Sequence, residues 1–304
     1  MMQWFERVGQ QRDWLWHGWQ IRYSVKRAVA VAEASLPPLV LLHGFGAALE
    51  HWRHNVPVLA DRHTVYAVDL LGFGGSRKAK TTYSTALWTE QLYEWWRSLI
   101  GVPVILVGNS LGSLVCAVLA QTYPEMVAGV VLINLPDVSL RQAAMPGWLA
   151  PWVYRLENAL SGPWLIKPLL RVLRRPAVLR PWIKIAYPRT EAITPELVEL
   201  ISRPAYDSGA GDTLFFLSRS LRQPEFSPMM AEVIAELDVP ILLVWGECDR
   251  MVPFGLAERF AELNAQLTFV PMPEAGHCPH DEWPEEFHEI LLPWLAQTTT
   301  GRVH

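Results

Sequence analysis

VPVILVGNSLGSLVCAVLAQTYP, residues Val102–Pro124, is the stretch whose reading decides the fold. Val104–Val107 is an unbroken apolar, β-branched-rich run, as expected of a strand buried on both faces. GNSLG follows at Gly108–Gly112 and satisfies G-x-S-x-G. From Leu111 the apolar period changes: Leu111, Leu114, Val115, Val118 and Leu119 share one helical face, and the helix should stop before Pro124. Strand, sharp turn and helix in this order lift the Ser110 hydroxyl off the sheet edge. The helix N-terminus then lies beneath it with free N–H groups and a partial positive charge. The plainer alternative is a βα turn whose two glycines serve packing only.

Outward from this unit the chain alternates. Trp14–Val25 turns around Gly18 and reads as an edge hairpin, Leu39–Leu42 and Thr64–Val68 as strands, and Trp52–Leu59 and Leu87–Leu99 as helices. Beyond the unit, Val127–Ile133, Ile241–Trp245 and Leu267–Val270 read as strands, and Phe254–Leu263 and Phe287–Leu295 as helices. This rhythm predicts an α/β fold with a doubly wound, mostly parallel sheet. From Leu135 to about Leu237 no buried strand is legible, while prolines, tryptophans and arginines abound. The predicted organisation is a core of residues 1–136 and 238–304 with a helical cap at 137–237. Such an insertion would lie over the carboxyl ends of the strands, where these sheets bind ligands.

A serine hydroxyl needs a base to attack a carbonyl, and the base needs an orienting acid. The strand Ile241–Trp245 runs into GECDRMVP, which places Asp249 just beyond a strand end. Leu267–Val270 runs into the loop that ends in Gly276-His277, so His277 falls at the same edge. Serine, acid and histidine in this order, each after a parallel strand, nominate Ser110, Asp249 and His277 as catalytic residues. Asp137 is the rival acid, and Glu247 a weaker one; Asp249 could instead cap the following helix. The two oxyanion donors are expected to be the backbone N–H groups of Leu111 and of Phe45, in the loop after Leu39–Leu42. His43 reads as a residue that shapes that loop, and His280 and Asp281 as solvated or capping residues. The run His277-Cys278-Pro279-His280-Asp281 has no second ligand cluster to complete a metal site, so neither a metal nor an organic cofactor is expected.

Composition bounds the function. The 304 residues are 51% hydrophobic and 18% charged, which describes a globular chain. A net charge of -4 argues against nucleic acid as a partner. Three widely spaced cysteines imply no disulfide framework and favour a reducing compartment. The first residues carry charges and no apolar signal core, and no stretch reaches the ~20 apolar residues of a membrane span. The chain is therefore expected in the cytoplasm or at a membrane surface. The 15 tryptophans suggest a wide apolar pocket, or simply core bulk. Nothing in the sequence reads out an oligomeric state.

With these residues in hand, the chain resembles capped α/β-hydrolases with a serine nucleophile. The matching pieces are HGFG at His43–Gly46, DLLGFGGS at Asp69–Ser76, GNSLG, WGECDRMVP at Trp245–Pro253 and AGHCPHDEWPEE at Ala275–Glu286. The resemblance implies acyl-transfer chemistry, because Ser110 stands where dehalogenases and epoxide hydrolases carry aspartate. GNSLG is similar to the elbow of plant and cyanobacterial pheophytinases and chlorophyll dephytylases, which implies a phytol ester of a tetrapyrrole as substrate. A GNS elbow also resembles that of meta-cleavage-product hydrolases, which cut a carbon–carbon bond. Ser113 in place of the usual third glycine, and HGFGAALEHW without a glycine run, weaken that second likeness.

The insertion adds its own physics. Arg141, Arg155, Lys167, Arg171, Arg174, Arg175, Arg180, Lys184 and Arg189 are interleaved with tryptophans and aliphatics and faced by few acids, chiefly Asp137 and Glu157. The pattern suits a lid over a long-chain substrate, or a peripheral contact with an anionic membrane. It equally suits helices that pack one face on the core and solvate their arginines. The expected protein is a serine hydrolase acting on the carboxylic ester of a bulky hydrophobic small molecule. A carbon–carbon hydrolase or cofactor-free perhydrolase with the same triad, and a hydrolase-fold receptor or scaffold, are the alternatives.

Overall fold

The computed structural model describes residues 7–29, 36–138 and 162–300. Eight strands form one sheet: β1 (Gln10–Trp16), β2 (Trp19–Lys26), β3 (Leu39–Leu42), β4 (Val65–Val68), β5 (Val104–Asn109), β6 (Val127–Ile133), β7 (Ile241–Gly246) and β8 (Leu267–Met272). Their spatial order is β1-β2-β4-β3-β5-β6-β7-β8. Pairs involving β2 are antiparallel and all others parallel. The continuous apolar runs β3, β5, β6 and β7 are buried along their whole length, as central parallel strands must be. The two edge strands, β1 and β8, alternate or carry polar residues, and Pro271 sits on β8, where one side of the strand has no ladder to break.

Side chains of the central strands alternate between two cores. Val40, Leu42, Leu106, Leu132 and Leu243 face α2 (Thr85–Leu99) and α3 (Leu111–Thr122), with α8 (Met230–Glu236) and α9 (Gly255–Ala261) beyond them. Leu39, Leu41, Ile105, Val131 and Leu242 face a 3-10 turn (Leu49–Trp52), α1 (Val56–Leu59) and α11 (Pro284–Thr300), which follows the short α10 (Pro279–Glu282). This is the doubly wound, mostly parallel arrangement expected from the alternation. Between β6 and β7 the described residues hold helices and no strand. These are α4 (Pro163–Leu173), α5 (Pro176–Ala186), α6 (Pro195–Ser202) and α7 (Ala210–Ser220), then α8. Arg141, Trp148, Trp152, Arg155 and Glu157 lie outside the described residues.

Several elements differ from expectation. Trp52–Leu59 is not one helix: the 3-10 turn ends at Trp52, and Pro57 then opens the four-residue α1 in its first turn. α11 runs eight residues past Phe287–Leu295 in sum at its two ends and carries Pro293 within it. Trp52, Trp88, Trp95 and Trp245 are fully buried core bulk. These four tryptophans fill the two cores, whereas Trp164 and Trp182 are exposed.

Candidate active site

The strand order reverses direction at β3 and β5, which are neighbours although β4 intervenes in sequence on the other side of β3. Loops that leave two such strands at their carboxyl ends diverge and open a crevice. The register aligns Leu42 with Gly108 and Asn109 with Ile133, so Gly44 and Asn134 flank Ser110. A Cβ placed on Gly44 would stand 3.4 Å from that of Ser110.

Ser110 adopts φ 52 and ψ -114, one of three non-glycine residues among the described residues with positive φ. A serine in this backbone region is strained and persists only where its surroundings impose it. Here its N–H donates to Ile133 O (2.9 Å) and its carbonyl accepts from Leu114 N (3.1 Å). Gly112 permits the turn, since a Cβ there would overlap the carbonyl of Leu42. Ser113, in place of a third glycine, donates its hydroxyl to Gly108 O (2.7 Å) and accepts from Ile133 N (2.9 Å), pinning the turn to both strands. Leu111 opens α3 directly after Ser110, and Phe45 lies in the β3 loop with its ring half exposed against Phe73.

His277 Nδ1 stands 2.8 Å from Asp249 Oδ2, with both side chains almost fully buried. Asp249 also accepts from Asn134 Nδ2 (2.5 Å) and, through Oδ1, from the N–H groups of Met251 (2.7 Å) and Val252 (3.1 Å). Burial works to raise the Asp249 pKa. The hydrogen bond and charge of His277, with Asn134 and Met251, outweigh it and hold the carboxyl below its usual value. Asp249 therefore both shapes its own loop and meets His277. Of the acids nominated from the sequence, it is Asp249 that stands at His277 Nδ1.

No hydrogen bond joins Ser110 Oγ to His277 in this structure; their loops are tied by Asn109, whose Nδ2 donates to His277 O (2.9 Å). His43 is fully buried and held neutral. Burial lowers its pKa to about 4; Nε2 accepts from Leu70 N (3.3 Å), which leaves Nδ1–H to donate to Gly44 O (2.8 Å). It is a strut of the β3 loop, as its position in the sequence suggested.

Sequence reasoning missed two residues. Asn134, at φ 49 after β6, donates to Asp249 and to Gly276 O (3.2 Å) and accepts from Gly246 N (3.3 Å). The available signal was an asparagine at a strand end, since asparagine tolerates the left-handed region better than other side chains. Glu282 is the second: its carboxylate accepts from Gly276 N (2.6 Å) and from Arg189 N (2.7 Å). With His277 N–H donating to Ala186 O (2.8 Å), it fastens the histidine loop to the end of α5. Close approach is possible because Gly276 has no Cβ; one there would overlap Pro188 and Ala186 O.

His280 and Asp281 are buried, against the expectation that they are solvated or capping. Asp281 accepts from Arg53 Nη1 (2.6 Å) and Tyr187 OH (2.8 Å), and Tyr187 OH also meets His51 Nε2 (2.6 Å). Burial alone would raise the Asp281 pKa; Arg53 and His51 bring it far below the usual range. These partners come from the β3 loop and the insertion, which only the tertiary structure brings to Asp281. Among the described residues no group of His, Cys, Asp and Glu is arranged to hold a metal ion.

Beside the β3 loop lies an apolar cavity of about 120 Å³, lined by Phe45 and Phe73 from the core and by Leu170, Ile201, Leu214 and Leu217 from the insertion. A larger depression, about 840 Å³, lies by Tyr66 near the start of β4, at the opposite end of the sheet from Ser110, and carries none of these groups.

The model of the alpha/beta hydrolase fold family matches residues 37–284, and the chain belongs to that family. It is 26% identical over 284 residues to a 1-acylglycerol-3-phosphate O-acyltransferase of Arabidopsis thaliana, covering 86% of this chain and 67% of the relative. It is 28% identical over 267 residues to a pimeloyl-[acyl-carrier protein] methyl ester esterase of Aeromonas hydrophila, covering 84% of this chain and 94% of that enzyme. Among solved structures, a membrane phospholipase A described as a bacterial virulence factor superposes with a TM-score of 0.75 at 24% identity, covering 96% of this chain and 87% of the other. That likeness is one of fold.

Proposed function

We propose that the chain is a serine hydrolase that cleaves the carboxylic ester of a bulky hydrophobic substrate through an acyl-enzyme. The observation that carries the reading is the 2.8 Å contact of His277 Nδ1 with a buried Asp249 carboxylate. That contact fixes the tautomer with Nε2 unprotonated, the form able to accept the Ser110 proton. Rotation of the Ser110 side chain toward Nε2 completes the proton path. The hydroxyl oxygen attacks the ester carbonyl as the proton passes to His277, and Asp249 stabilises the imidazolium. The N–H groups of Leu111 and Phe45 receive the oxyanion. His277 then protonates the departing alcohol, and water, activated by the same imidazole, hydrolyses the acyl-enzyme. No cofactor enters this sequence.

Substrate size follows from the cavity. The cavity is about 120 Å³, beside the β3 loop and not lined by Ser110, Asp249 or His277, and lies well below the ~300 Å³ at which ordinary ligand sites begin, so in this reading a bulky ester reaches the serine only when the insertion moves off the core. The insertion, residues 137–237, is thus read as a cap, and the apolar lining favours an acyl or alkyl chain. A phytol ester of a chlorophyll-type pigment is the substrate we put forward, on the resemblance of the GNSLG elbow. The name of the esterase relative supports ester hydrolysis. That of the plant relative supports a second reading, in which an alcohol intercepts the same acyl-enzyme in place of water.

A fluorophosphonate probe with a p-nitrophenyl ester chain-length series tests the proposal. Wild type is expected to label and to prefer long or bulky esters, and Ser110→Ala to lose labelling and at least ~10⁴-fold in turnover. Undiminished turnover by Ser110→Ala would refute it. Chlorophyll and pheophytin then test the pigment, and a lysophospholipid acceptor tests transfer.

A further inference from the structure

We infer that the outer face of α4 and α5 is a docking surface for an anionic lipid bilayer. α4 packs on α7, and α5 on α6. Among their described side chains, Ile166 and Ile183 are buried. Yet each helix carries a second, exposed apolar stripe that no described element packs against. Trp164, Leu165, Leu169 and Val172 recur at helical spacing along α4 and are exposed; Trp182 and Ile185 do the same on α5. Trp164 is 70% and Trp182 59% exposed, values that a soluble surface rarely allows for this side chain. The two helices are consecutive and in contact, and each presents more than one exposed apolar side chain, so these are not scattered singles.

Charge decides the occupant. Residues 162–189 hold seven Lys or Arg and no Asp or Glu, in a chain of net charge -4. Some of the seven are engaged: Lys167 pairs with Asp212 (2.7 Å), and Arg174 lies over the Tyr206 ring. Arg171, Arg175 and Lys184 are exposed and make no pair with a described residue. Tryptophan and aliphatics flanked by free cations match a bilayer interface, where indole sits at headgroup level and basic side chains meet anionic lipid. Each helix is only ~16 Å long, and no described helix is long and apolar enough to cross a membrane. The face therefore rests on the surface. The end of α5 continues into Ala186–Arg189, the segment tied to the His277 loop, so docking brings the bilayer next to the cap side of the site. The inference does not depend on ester hydrolysis.

Flotation with vesicles of phosphatidylcholine, alone or with phosphatidylglycerol, tests it on the full chain. Wild type is expected to float with the anionic vesicles and to be released by salt. Arg171→Gln/Arg175→Gln/Lys184→Gln should lose affinity about a hundredfold, at ~1 kcal/mol per cation, and Trp164→Ser/Trp182→Ser at least ~10-fold. All five positions are exposed, and thermal melting confirms that the variants fold. The inference fails if folded wild type ignores anionic vesicles, if it binds both vesicle types equally, or if the tryptophan variant binds as wild type does. It also fails if sedimentation shows a dimer that the tryptophan variant abolishes while vesicles stay unbound, which would make the face a contact between two copies of this chain.

Discussion

Two buried carboxylates, Asp249 and Asp281, each lie beside a histidine, and they differ in the company they keep. Asp249 meets His277 directly at 2.8 Å; its other partners, Asn134 and the backbone of Met251 and Val252, are neutral. Its charge is therefore available to the imidazolium. Asp281 pairs first with the Arg53 guanidinium and with Tyr187 OH, while His51 Nε2 stays 3.6 Å away and bonds to the tyrosine. Its charge is already compensated, and the ion pair ties the β3 loop to the histidine loop, with Tyr187 of the insertion bonded to the same carboxylate. The difference is that Asp249 has no fixed cation among these partners, as the proposed role beside His277 requires, whereas Asp281 has Arg53.

Asp249→Asn should break the comparison most sharply. The amide cannot hold the Nδ1–H tautomer or the imidazolium, and kcat should fall about 10³–10⁴-fold with Tm little changed. A loss under tenfold, measured on a p-nitrophenyl ester, would move the acid elsewhere.

Asp281→Asn should do the reverse. It removes the buried partner of Arg53 Nη1 and leaves the guanidinium only its 2.7 Å pair with the partly exposed Glu196, so it should cost about 3 kcal/mol of stability, read by urea unfolding, while the folded enzyme keeps kcat within a few-fold. The sign with pH follows from the depressed folded pKa. The carboxylate contributes stability that is present above its ordinary value of 3.8 and is lost as pH falls through the folded value. The gap between wild type and variant should therefore be full at neutral pH and narrow below about 4. A gap that widens in acid would show that Asp281 is not the ion-pair partner described.

Asn134→Gly is the finest probe. Glycine keeps the left-handed φ but removes the amide that steadies Asp249, so kcat should drop about tenfold, the worth of one hydrogen bond to a charged group. KM should change little, because Asn134 lies behind Asp249. An unchanged kcat would mean the two backbone N–H groups suffice to orient the acid.

The sheet, its two-sided core and the order of Ser110, Asp249 and His277 were legible in the chain because they rest on local signals. Unbroken apolar strands, a period change at Leu111 and loops at strand ends need no knowledge of distant residues. The helix limits around Trp52–Leu59 and at α11 were read less well, since Pro57 and Pro293 each lie inside helical turns and propensity alone would have stopped or shifted those helices.

What only the tertiary structure decided are the properties of groups whose partners lie far along the chain. The burial of Asp281 depends on Arg53 and Tyr187, and the setting of Asp249 on Asn134. The anchoring of the histidine loop depends on Glu282, Ala186 and Arg189. The sequence likewise marked α4 and α5 as basic and rich in tryptophan, but exposure, which sets Trp164 apart from Trp88, follows from what each helix packs against. The one-dimensional pattern fixes which residues are apolar or ionisable. Whether a charge is compensated, or an indole covered, depends on the solvent it has lost and the neighbours it has gained, and those are set by the fold as a whole.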